Sequence, residues 1–384
     1  MYLEREILSK IQLYIKQFKV VSLTGPRQSG KTTFLKKLFP DYTYVNLENS
    51  AMKLLANTDA NAFLEQFNNK VIIDEAQEAP SLFSNIQVKV DESDETGQYI
   101  LSGSQNFLLM EQITQSLAGR VGVMRLFPLS INEFNLNNNL PKHYRELIFK
   151  GAYPLVHTMP DIDIPIFYEN YINTYVERDV RQLKNIENVT TFRKFIQLCA
   201  GRIGQEINYN TLAVETGINV LTVKAWLSIL ETSYLVFQLQ PYHKNFNKRI
   251  TKSPKLYFYD TGLACNLLNI NTPEQLDSFY MRGALFENLI VSEYQKRISH
   301  QNFRANLNFW RENNGVEIDL LIEENLETRA VEIKSGMTIT SDFTKNFRLF
   351  QKYGKDAIAK YQVIYGGDLN AKASGVEFLS WKRF

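Results

Sequence analysis

A short glycine-rich stretch near the amino terminus has the residue types of a phosphate-binding loop. It follows the pattern G-x-x-x-x-G-K-S/T with a second threonine after it, and its residues are Gly25, Pro26, Arg27, Gln28, Ser29, Gly30, Lys31, Thr32 and Thr33. Glycines let the backbone N–H groups of such a loop approach phosphates closely, and the helix that follows adds a favourable dipole. The lysine then contacts the β- and γ-phosphates, and the hydroxyl group after it coordinates Mg²⁺. We therefore expect this stretch to bind ATP and Mg²⁺.

An apolar run that ends in two acids follows this loop in the chain. Val71–Ile73 has the pattern of a buried strand, and Asp74 and Glu75 come directly after it. Asp74 can hold Mg²⁺ through water, and Glu75 can polarise the water that attacks the γ-phosphate. Two acids at the end of an apolar strand are common in proteins. Here they indicate a nucleotide site because the strand follows the phosphate-binding loop in the chain. We expect the two acids to complete a site for ATP hydrolysis.

Three further residues could act on the γ-phosphate. Ser104 follows a later predicted strand, where a γ-phosphate sensor would lie, although a plain serine–glycine loop is the alternative. Arg120 and Arg125 come next, and either could be an arginine finger that acts in its own chain or in a neighbouring one. The alternative for each arginine is a surface salt bridge. We expect Ser104 to contact the nucleotide and Arg120 to assist hydrolysis.

Four charged residues in the last third of the chain could form a second centre. Glu287 lies in a predicted helix and Asp319 in a predicted strand, on the same face as Glu317. Glu332 and Lys334 share one face of a later strand, because side chains alternate with a period of two. The order helix–Glu, strand–Asp, strand–Glu-x-Lys is similar to the core of the PD-(D/E)xK nucleases.

The resemblance to these nucleases implies a role for each of the four residues. Asp319 and Glu332 would hold a divalent metal, which stabilises charge on the phosphate and acidifies a water molecule. Lys334 would orient that water or help to deprotonate it, and Glu287 could complete the metal shell. A Glu-x-Lys pair alone is common in half-exposed strands, and the proline of the nuclease motif is missing before the first acid. Domains of this fold can also be inactive and only bind, so cleavage stays open.

The elements that must position these residues divide the chain into three parts. Residues 1–150 alternate helical stretches with apolar strands typical of a buried parallel sheet, at Val20–Leu23, Tyr42–Leu47, Val71–Asp74 and Gln98–Ser102. Residues 151–270 are mainly helical. Residues 271–384 contain a helix over Gly283–Gln295 and then strands at Asn308–Trp310, Glu317–Ile322, Ala330–Lys334 and Gln362–Tyr365. The predicted fold class is α/β.

The middle part contains the pattern of a helix-turn-helix. Tyr209–Glu215 is predicted as the first helix and Thr216–Ile218 as the turn. Asn219 should cap a second helix that runs to about Glu231, since asparagine is a preferred cap. Such a unit commonly places its second helix in the major groove of DNA.

Two strands after this motif would complete a winged-helix-like unit over about residues 191–260. They are predicted at Tyr234–Gln240 and Lys255–Asp260. The second helix is apolar almost all round and has Lys224 as its basic residue, so we expect it to contribute little to base readout. Positive charge instead collects towards the loop between the strands, at Lys244, Lys248, Arg249, Lys252 and Lys255. We expect the first four to contact DNA phosphates without sequence preference, with a solvated hairpin tip as the alternative.

The overall composition is that of an ordinary globular protein. The 384 residues include 43 Lys and Arg against 41 Asp and Glu, and 44% of them are hydrophobic. These values exclude wholesale disorder and a histone-like binder. Two cysteines, Cys199 and Cys265, cannot form a disulfide framework, and the sequence has neither a signal peptide nor a membrane-spanning run. We expect a soluble cytoplasmic protein that has no membrane partner.

Several stretches along nearly the whole chain resemble one protein family. They are LTGPRQSGKTT, VIIDEAQ, ILSGSQNFLL, SLAGRVGVMRLFPLSINEF, YVERDV, SPKLYFYDTGL, GALFENLIV, FWRENNGVEIDLLI and VEIKSG. In this order they are similar to the bacterial and archaeal AAA-type ATPases that carry a C-terminal domain of unknown function. The resemblance implies a P-loop AAA-type ATPase domain, a winged-helix-like middle segment and a C-terminal domain similar to restriction endonucleases.

Together these features predict an ATPase that acts on nucleic acid and has a possible metal-dependent nuclease centre. ATP, Mg²⁺ and DNA are the expected ligands, and a homo-oligomer is compatible with the sequence. One alternative is a nucleotide-switched DNA-binding or regulatory module with an inactive nuclease fold. Another is an ATPase that remodels a protein partner, which the apolar second helix of the helix-turn-helix favours.

Overall fold

A computed structural model describes residues 2–104, 106–176, 188–242, 253–312, 315–354 and 358–383. The four residues predicted to contact DNA lie outside these ranges; they are Lys244, Lys248, Arg249 and Lys252. The phosphate-binding loop and the four charged residues of the predicted C-terminal centre lie within them.

Five parallel strands form the N-terminal sheet in the described part of the chain. They are β1 Val20–Thr24, β2 Thr43–Asn46, β3 Val71–Asp74, β4 Tyr99–Gly103 and β5 Val121–Arg125. Their order across the sheet is β2-β3-β4-β1-β5. The four predicted parallel strands are confirmed, with boundaries that shift by no more than a residue. The edge strand β5 escaped prediction because Gly122 interrupts its apolar run.

Helices cover both faces of this sheet. They are α1 Leu8–Gln17, α2 Lys31–Leu38, α3 Ser50–Thr58, α4 Ala60–Gln66, α5 Ser81–Asp91 and α6 Asn106–Ser116. The next helix, α7 Ile131–Leu136, packs in the core of the middle part instead. Alternate strand residues face opposite layers, so Val71 and Ile73 pack in one buried cluster while Ile72 packs in another. Burial on both faces explains why these strands are continuous apolar runs.

The middle part is helical, as predicted. Its helices are α8 Tyr144–Lys150, α9 Pro154–Thr158, α10 Ile164–Tyr171, α11 Val189–Ala200, α12 Tyr209–Thr216 and α13 Val220–Thr232. Gly217 ends α12 in the left-handed conformation with φ at 81°. The Asn219 side chain caps α13 by accepting a hydrogen bond from the backbone N–H of Thr222 at 2.8 Å. The two helices and their turn therefore lie where the helix-turn-helix pattern predicts them.

The exposed and buried faces of this helix pair differ sharply. The inner face of α13 packs in the core through Val223, Trp226, Leu227, Ile229 and Leu230. On the outer face, Val214 of α12 is 83% exposed and Leu221 of α13 is 78% exposed. No single helix in the described ranges is long and apolar enough to cross a membrane, although the bent pair of α12 and α13 passes that test by length and composition.

The two predicted wing strands exist, but they do not stand free. β6 Val236–Pro241 and β7 Lys255–Phe258 form an antiparallel hairpin. β6 also pairs in parallel with β8 Asn306–Arg311, where Gln240 lies opposite Asn308. The hairpin is therefore the edge of the C-terminal sheet rather than a projecting wing, and its described strands are fixed by that pairing.

The C-terminal part is a mixed sheet flanked by helices. After the hairpin come α14 Thr261–Leu267, α15 Gln275–Ser278, α16 Arg282–His300, β8, β9 Glu317–Glu324, β10 Glu327–Lys334, α17 Lys345–Gly354, β11 Lys360–Tyr365, β12 Ala371–Ala373 and β13 Val376–Ser380. The eight-stranded order is β12-β13-β11-β10-β9-β8-β6-β7. β9 and β10 are antiparallel, whereas β10 and β11 are parallel. The predicted helix and the four predicted strands are confirmed here.

One hydrophobic core joins the middle and C-terminal parts. The same buried cluster contains Phe195 of α11, Trp226 of α13, Leu289 of α16 and Val331 of β10. A second cluster, which includes Trp310 and Phe350, fills the opposite face of the C-terminal sheet. The helix-turn-helix and the C-terminal sheet therefore support each other.

Candidate functional site

The phosphate-binding loop connects β1 to α2 at the carboxyl edge of the N-terminal sheet. Gly25 has φ at 149°, and a Cβ atom there would lie 2.1 Å from the carbonyl oxygen of Leu126. Gly30 has φ at 93° directly before α2. Only glycine fits both the close approach and these backbone angles. The strand–loop–helix setting that the motif requires is thus present.

Lys31 is folded back over this loop. Its Nζ atom donates hydrogen bonds to the carbonyl oxygens of Gly25 and Pro26, each at 2.9 Å. Neutral carbonyl oxygens are weaker partners for an ammonium group than charged phosphate oxygens. The side chain is therefore held at the loop in a position from which a bound phosphate can attract it.

Thr32 and Asp74 meet beside the loop. The Thr32 hydroxyl donates to Oδ2 of Asp74 at 2.7 Å, and the Tyr44 hydroxyl donates to the same oxygen at 2.8 Å. A hydroxyl oxygen and a carboxylate oxygen are the ligand types that Mg²⁺ prefers, so these residues fit a magnesium site. Burial and the bond to Asp74 raise the pKa of the Tyr44 phenol, which keeps it a donor.

Glu75 is tied to the end of the neighbouring strand β4. Its Oε2 atom accepts hydrogen bonds from Nε2 of Gln77 at 2.5 Å and from the hydroxyl of Ser104 at 3.1 Å. The backbone of Glu75 is left-handed, with φ at 53°. The acid predicted to polarise water and the predicted γ-phosphate sensor are therefore in direct contact.

A cavity of about 560 Å³ surrounds these residues. The phosphate-binding loop, Asp74 and Glu75 form one side of it, and Pro154 and Leu155 of α9 contribute to another. Tyr2 from the amino-terminal segment also lines it. The nucleotide cavity is therefore walled partly by the middle segment, outside the N-terminal sheet.

Arg120 lies at the opposite end of the sheet from the loop. It precedes β5, whose first residue Val121 pairs with Val20 at the start of β1. Its guanidinium group makes two hydrogen bonds to Asp91, at 2.6 and 2.7 Å. An arginine finger that acts within the same chain would have to lie at the carboxyl edge of the sheet. For Arg120, only the prediction that it acts on the nucleotide of a neighbouring chain therefore stays. Arg125 does lie at that edge, opposite Thr24.

The structure brings together the residues of the predicted C-terminal centre. Nζ of Lys334 lies 2.5 Å from Oε2 of Glu332 and 3.7 Å from Oδ2 of Asp319. The same Asp319 oxygen accepts the backbone N–H of Ile333 at 2.7 Å. The antiparallel pairing of β9 with β10 produces this arrangement.

Glu287 completes the group from α16. Its Oε1 atom accepts hydrogen bonds from the Tyr257 hydroxyl at 2.5 Å and from Nζ of Lys255 at 3.1 Å. Lys255 also forms an ion pair with Glu317 and is only 1% exposed. We call the four carboxylates and two lysines the carboxylate centre: Glu287, Glu317, Asp319, Glu332, Lys255 and Lys334.

This burial corrects the expectation for Lys255. The sequence groups it with the basic loop of the wing, but the structure surrounds it with acids. Burial alone would lower the pKa of this lysine, and the carboxylates of Glu287, Glu317 and Asp319 raise it instead. The ammonium group is therefore charged and is not a surface contact for DNA.

The carboxylate centre has an excess of negative charge. Its four carboxylates face two ammonium groups, which leaves two negative charges when all six groups are ionised. Burial raises the pKa of Glu287 to about 7, although Lys255 opposes the shift. Burial and the neighbouring charge of Asp319 raise the pKa of Glu332 to about 8. Ionising Glu287 or Glu332 therefore costs free energy in the folded protein, and an added cation would reduce that cost.

Three of the carboxylates are spaced for a metal ion. One oxygen each from Glu287, Glu317 and Asp319 lies within 4.8 Å of the other two. An all-oxygen set of this kind suits a hard divalent cation such as Mg²⁺ or Mn²⁺. Glu332, predicted as a ligand, is instead held by Lys334 and by Nδ2 of Asn346, at 3.3 Å from Oε2. Glu317 is the better-placed third ligand.

Sequence patterns did not identify several residues that lie in the two sites. Tyr44 and Gln77 carry no motif, and their roles depend on which strand ends are neighbours. Lys255 and Tyr257 alternate along β7, so period-two reasoning could have placed them on one face. That reasoning cannot identify their shared hydrogen-bond partner, because Glu287 lies in a helix that is distant in the sequence.

Three family models match consecutive parts of the chain. Residues 17–135 match an AAA domain, residues 141–274 a domain of unknown function (DUF8612) and residues 282–384 another domain of unknown function (DUF4143). The first match contains the nucleotide site from Gly25 to Ser104. The third contains all four acids of the carboxylate centre, whereas Lys255 falls in the second.

Relatives align over most of the chain. An uncharacterized protein of Mycobacterium tuberculosis is 28% identical over 370 residues, which are 95% of this chain and 80% of the relative. An uncharacterized protein of Methanocaldococcus jannaschii is 25% identical over 348 residues, which are 81% of this chain and 74% of the relative.

A solved structure of a Walker-type ATPase from Pyrococcus abyssi is similar at 15% identity. It covers 68% of this chain and 95% of its own length, with a TM-score of 0.45. The match of residues 17–135 to an AAA domain, together with the phosphate-binding loop and the acids that follow β3, supports a P-loop domain that binds and hydrolyses ATP.

Proposed function

We propose that this protein uses ATP hydrolysis to act on nucleic acid and that its carboxylate centre hydrolyses phosphodiester bonds with a divalent metal. In this proposal residues 1–150 form the ATPase domain, residues 151–270 contact nucleic acid and residues 271–384 carry the cleavage centre. The meeting of Glu287, Asp319, Glu332 and Lys334 at one place is the observation that carries the proposal.

For ATP hydrolysis, the residues of the loop would bind the phosphates and the two acids would act on water. Lys31 would leave its carbonyl partners for the β- and γ-phosphates, and Thr32 and Asp74 would hold Mg²⁺. Bound Mg²⁺ would neutralise charge on the β- and γ-phosphate oxygens. Glu75 would polarise the attacking water once its contact with Ser104 is released.

For phosphodiester hydrolysis, each group of the carboxylate centre would have a distinct task. Glu287, Glu317 and Asp319 would hold a metal, which would supply charge stabilisation at the phosphate. Lys334 lies between Glu332 and Asp319, so it would orient the attacking water next to a carboxylate. The raised pKa of Glu332 suits a group that accepts a proton near neutral pH.

Contact with nucleic acid is supported by the charge of the middle segment. Residues 191–260 hold nine basic and four acidic residues, a net charge of +5 against +2 for the whole chain, and eight of the nine remain when the buried Lys255 is left out. Replacing Lys248 and Arg249 with glutamate should weaken DNA binding and flatten its dependence on salt. Binding that stays the same would contradict a role for this loop.

The decisive experiment incubates the protein with supercoiled, linear and branched DNA in Mg²⁺ or Mn²⁺, with and without ATP. Asp319→Ala should abolish cutting and keep ATP hydrolysis, because Asp319 lies far from the nucleotide cavity in the chain and belongs to the carboxylate centre. Lys31→Ala is the matched variant that should lose ATP hydrolysis. No cutting on any substrate by the wild type would overturn the nuclease assignment.

A second candidate is a nucleotide-switched regulatory module with a silent carboxylate centre. The position of Lys255 favours it, because an ammonium group already lies among the three carboxylates that would hold a metal. In that case the protein would bind DNA in a nucleotide-dependent way without cutting it.

A third candidate is an ATPase that remodels a protein partner. The exposed apolar side chains of Val214 and Leu221 at the helix-turn-helix favour it. ATP turnover that is unaffected by DNA, together with weak DNA binding, would support this candidate over the other two.

A further inference from the structure

We propose that the Lys255 ammonium group is the resident counter-ion of the carboxylate centre and that a divalent metal binds there by displacing it. This inference rests on the proposed metal-dependent function of the same centre. It assigns to Lys255 the control of metal affinity, a role that differs from those of Lys334 and the acids.

The first support is the position of the Lys255 Nζ atom. It lies 3.1 Å from Oε1 of Glu287 and pairs with Glu317. These are two of the three carboxylates whose oxygens lie within 4.8 Å of one another. A metal ion bound by the same oxygens at about 2.0–2.6 Å would occupy nearly the place of the ammonium group.

The second support is burial. The side chain of Lys255 is 2% exposed and those of Glu287 and Glu317 are 16% and 19% exposed, so little water separates the groups. Repulsion between two cations a few ångströms apart is strong in such surroundings. The ammonium group and a divalent cation therefore exclude each other from these oxygens.

The third support is the segment that supplies the lysine. The three acids come from α16 and β9, but Lys255 comes from β7 in the edge hairpin. Because the lysine and the acids belong to different elements, Lys255 can withdraw by a change in its own side-chain torsions while the acids stay in place. The ion pair of Arg311 with Glu317, at 3.6 Å, leaves this acid a second cationic neighbour when Lys255 has moved.

A purely structural ion pair would behave differently. Removing one partner of a buried pair leaves an uncompensated charge and destabilises the fold. If Lys255 had only this role, added metal would not repair the loss. If it is the counter-ion that a metal replaces, divalent cations should restore stability to a variant that lacks the ammonium group.

The test compares wild type with Lys255→Gln in the absence of nucleotide. Manganese binding is measured by isothermal titration calorimetry, and thermal unfolding is followed with and without Mg²⁺ or Mn²⁺. We expect Lys255→Gln to bind Mn²⁺ at least tenfold more tightly than wild type and to gain more thermal stability from it. Asp319→Ala in either background should remove this binding. Lys360→Gln is the matched control, since its exposed pair with Glu377 lies elsewhere on the sheet.

Two results would overturn the inference in different ways. Equal Mn²⁺ affinity of wild type and Lys255→Gln, with binding that depends on Asp319, would refute the role of Lys255 and leave the proposed metal centre intact. No Mn²⁺ binding by either protein would refute both.

A crystal structure of wild type with Mn²⁺ keeps the inference testable if Lys255→Gln does not fold. We expect an anomalous peak among Glu287, Glu317 and Asp319 and a Lys255 side chain that has left them. Manganese bound there with Lys255 still paired to both glutamates would refute displacement.

Discussion

The hydroxyl group of Tyr234 lies 2.7 Å from the hydroxyl group of Thr24. Thr24 ends β1 directly before the phosphate-binding loop, and Tyr234 comes shortly before β6, the first strand of the hairpin that carries Lys255. Both residues are buried, and the ring of Phe127 packs edge-on against Tyr234 at 5.4 Å between ring centres. A movement of the loop on binding nucleotide therefore has a direct contact through which to reach the hairpin.

Replacing Tyr234 with phenylalanine removes this hydrogen bond and keeps the ring. We expect the free energy of unfolding to fall by about 1 kcal/mol, the usual contribution of such a bond. We also expect a non-hydrolysable ATP analogue to change metal binding at the carboxylate centre less in this variant than in wild type. Denaturant unfolding measures the first change, and calorimetric metal titration with and without the analogue measures the second.

Tyr280→Phe is the matched control for this experiment, because Tyr280 is 84% exposed. If the nucleotide effect on metal binding is as large in Tyr234→Phe as in wild type, the two sites communicate through other contacts.

Lys31→Ala should nearly abolish ATP hydrolysis. The Lys31 ammonium group lies at the phosphate-binding loop, where it donates hydrogen bonds to the carbonyl oxygens of Gly25 and Pro26. We expect ATP turnover to fall by about a hundredfold or more, with little change in melting temperature. Lys37→Ala, on the exposed side of the same helix, serves as the control in a steady-state phosphate-release assay. Turnover near the wild-type level would remove Lys31 from the mechanism.

Glu75→Gln should separate ATP binding from hydrolysis. The amide keeps the size of the side chain but cannot act as the anionic group that polarises water. We expect turnover to fall by about a hundredfold while a fluorescent ATP analogue binds with nearly unchanged affinity. Glu92→Gln, at the exposed end of α5, is the control. A variant that hydrolyses ATP normally would shift the catalytic role to another acid.

His300 makes the stability of the fold sensitive to acid. Burial lowers the pKa of His300 to about 3, and its Nε2 atom accepts the backbone N–H of Phe127 at 2.9 Å. The folded state favours the neutral ring, whereas the unfolded chain takes up a proton near pH 6.5. His300 therefore does not affect the free energy of unfolding above about pH 6.5. As the pH falls from there towards 3, His300 lowers this free energy by about 1.4 kcal/mol per pH unit.

The measurement is the difference in unfolding free energy between wild type and His300→Gln from pH 7 down to pH 5. Glu287 and Glu332 have raised pKa values and gain stability over this range, so the difference between the two proteins isolates the histidine. We expect the advantage of wild type over the variant to shrink with acid. A difference that is constant with pH would mean that folding does not change the pKa of His300.

Patterns within the chain were sufficient where the interacting groups are near in sequence or follow a regular period. The phosphate-binding loop, the strand before Asp74 and the cap at Asn219 depend on local geometry, and they lie where they were expected. The shared face of Glu332 and Lys334 follows from the same alternation along β10.

Features that depend on distant partners could not be predicted in this way. The pairing of Gln240 with Asn308 makes the expected wing an edge of the C-terminal sheet. No pattern in the sequence near either residue predicts this pairing. The burial of Lys255 depends on Glu287 and Glu317, which lie in other elements. In the sequence its charge looks the same as the charges of the loop beside it.

The pairing of β6 with β8 limits how this chain can be cut into pieces. A fragment that starts at residue 271 would expose one edge of β8, and open strand edges recruit other strands. It would also lack Lys255, so Glu287 and Glu317 would lose a buried cation that they share. Such a fragment should aggregate when it is expressed by itself, and a well-behaved C-terminal fragment has to include the hairpin.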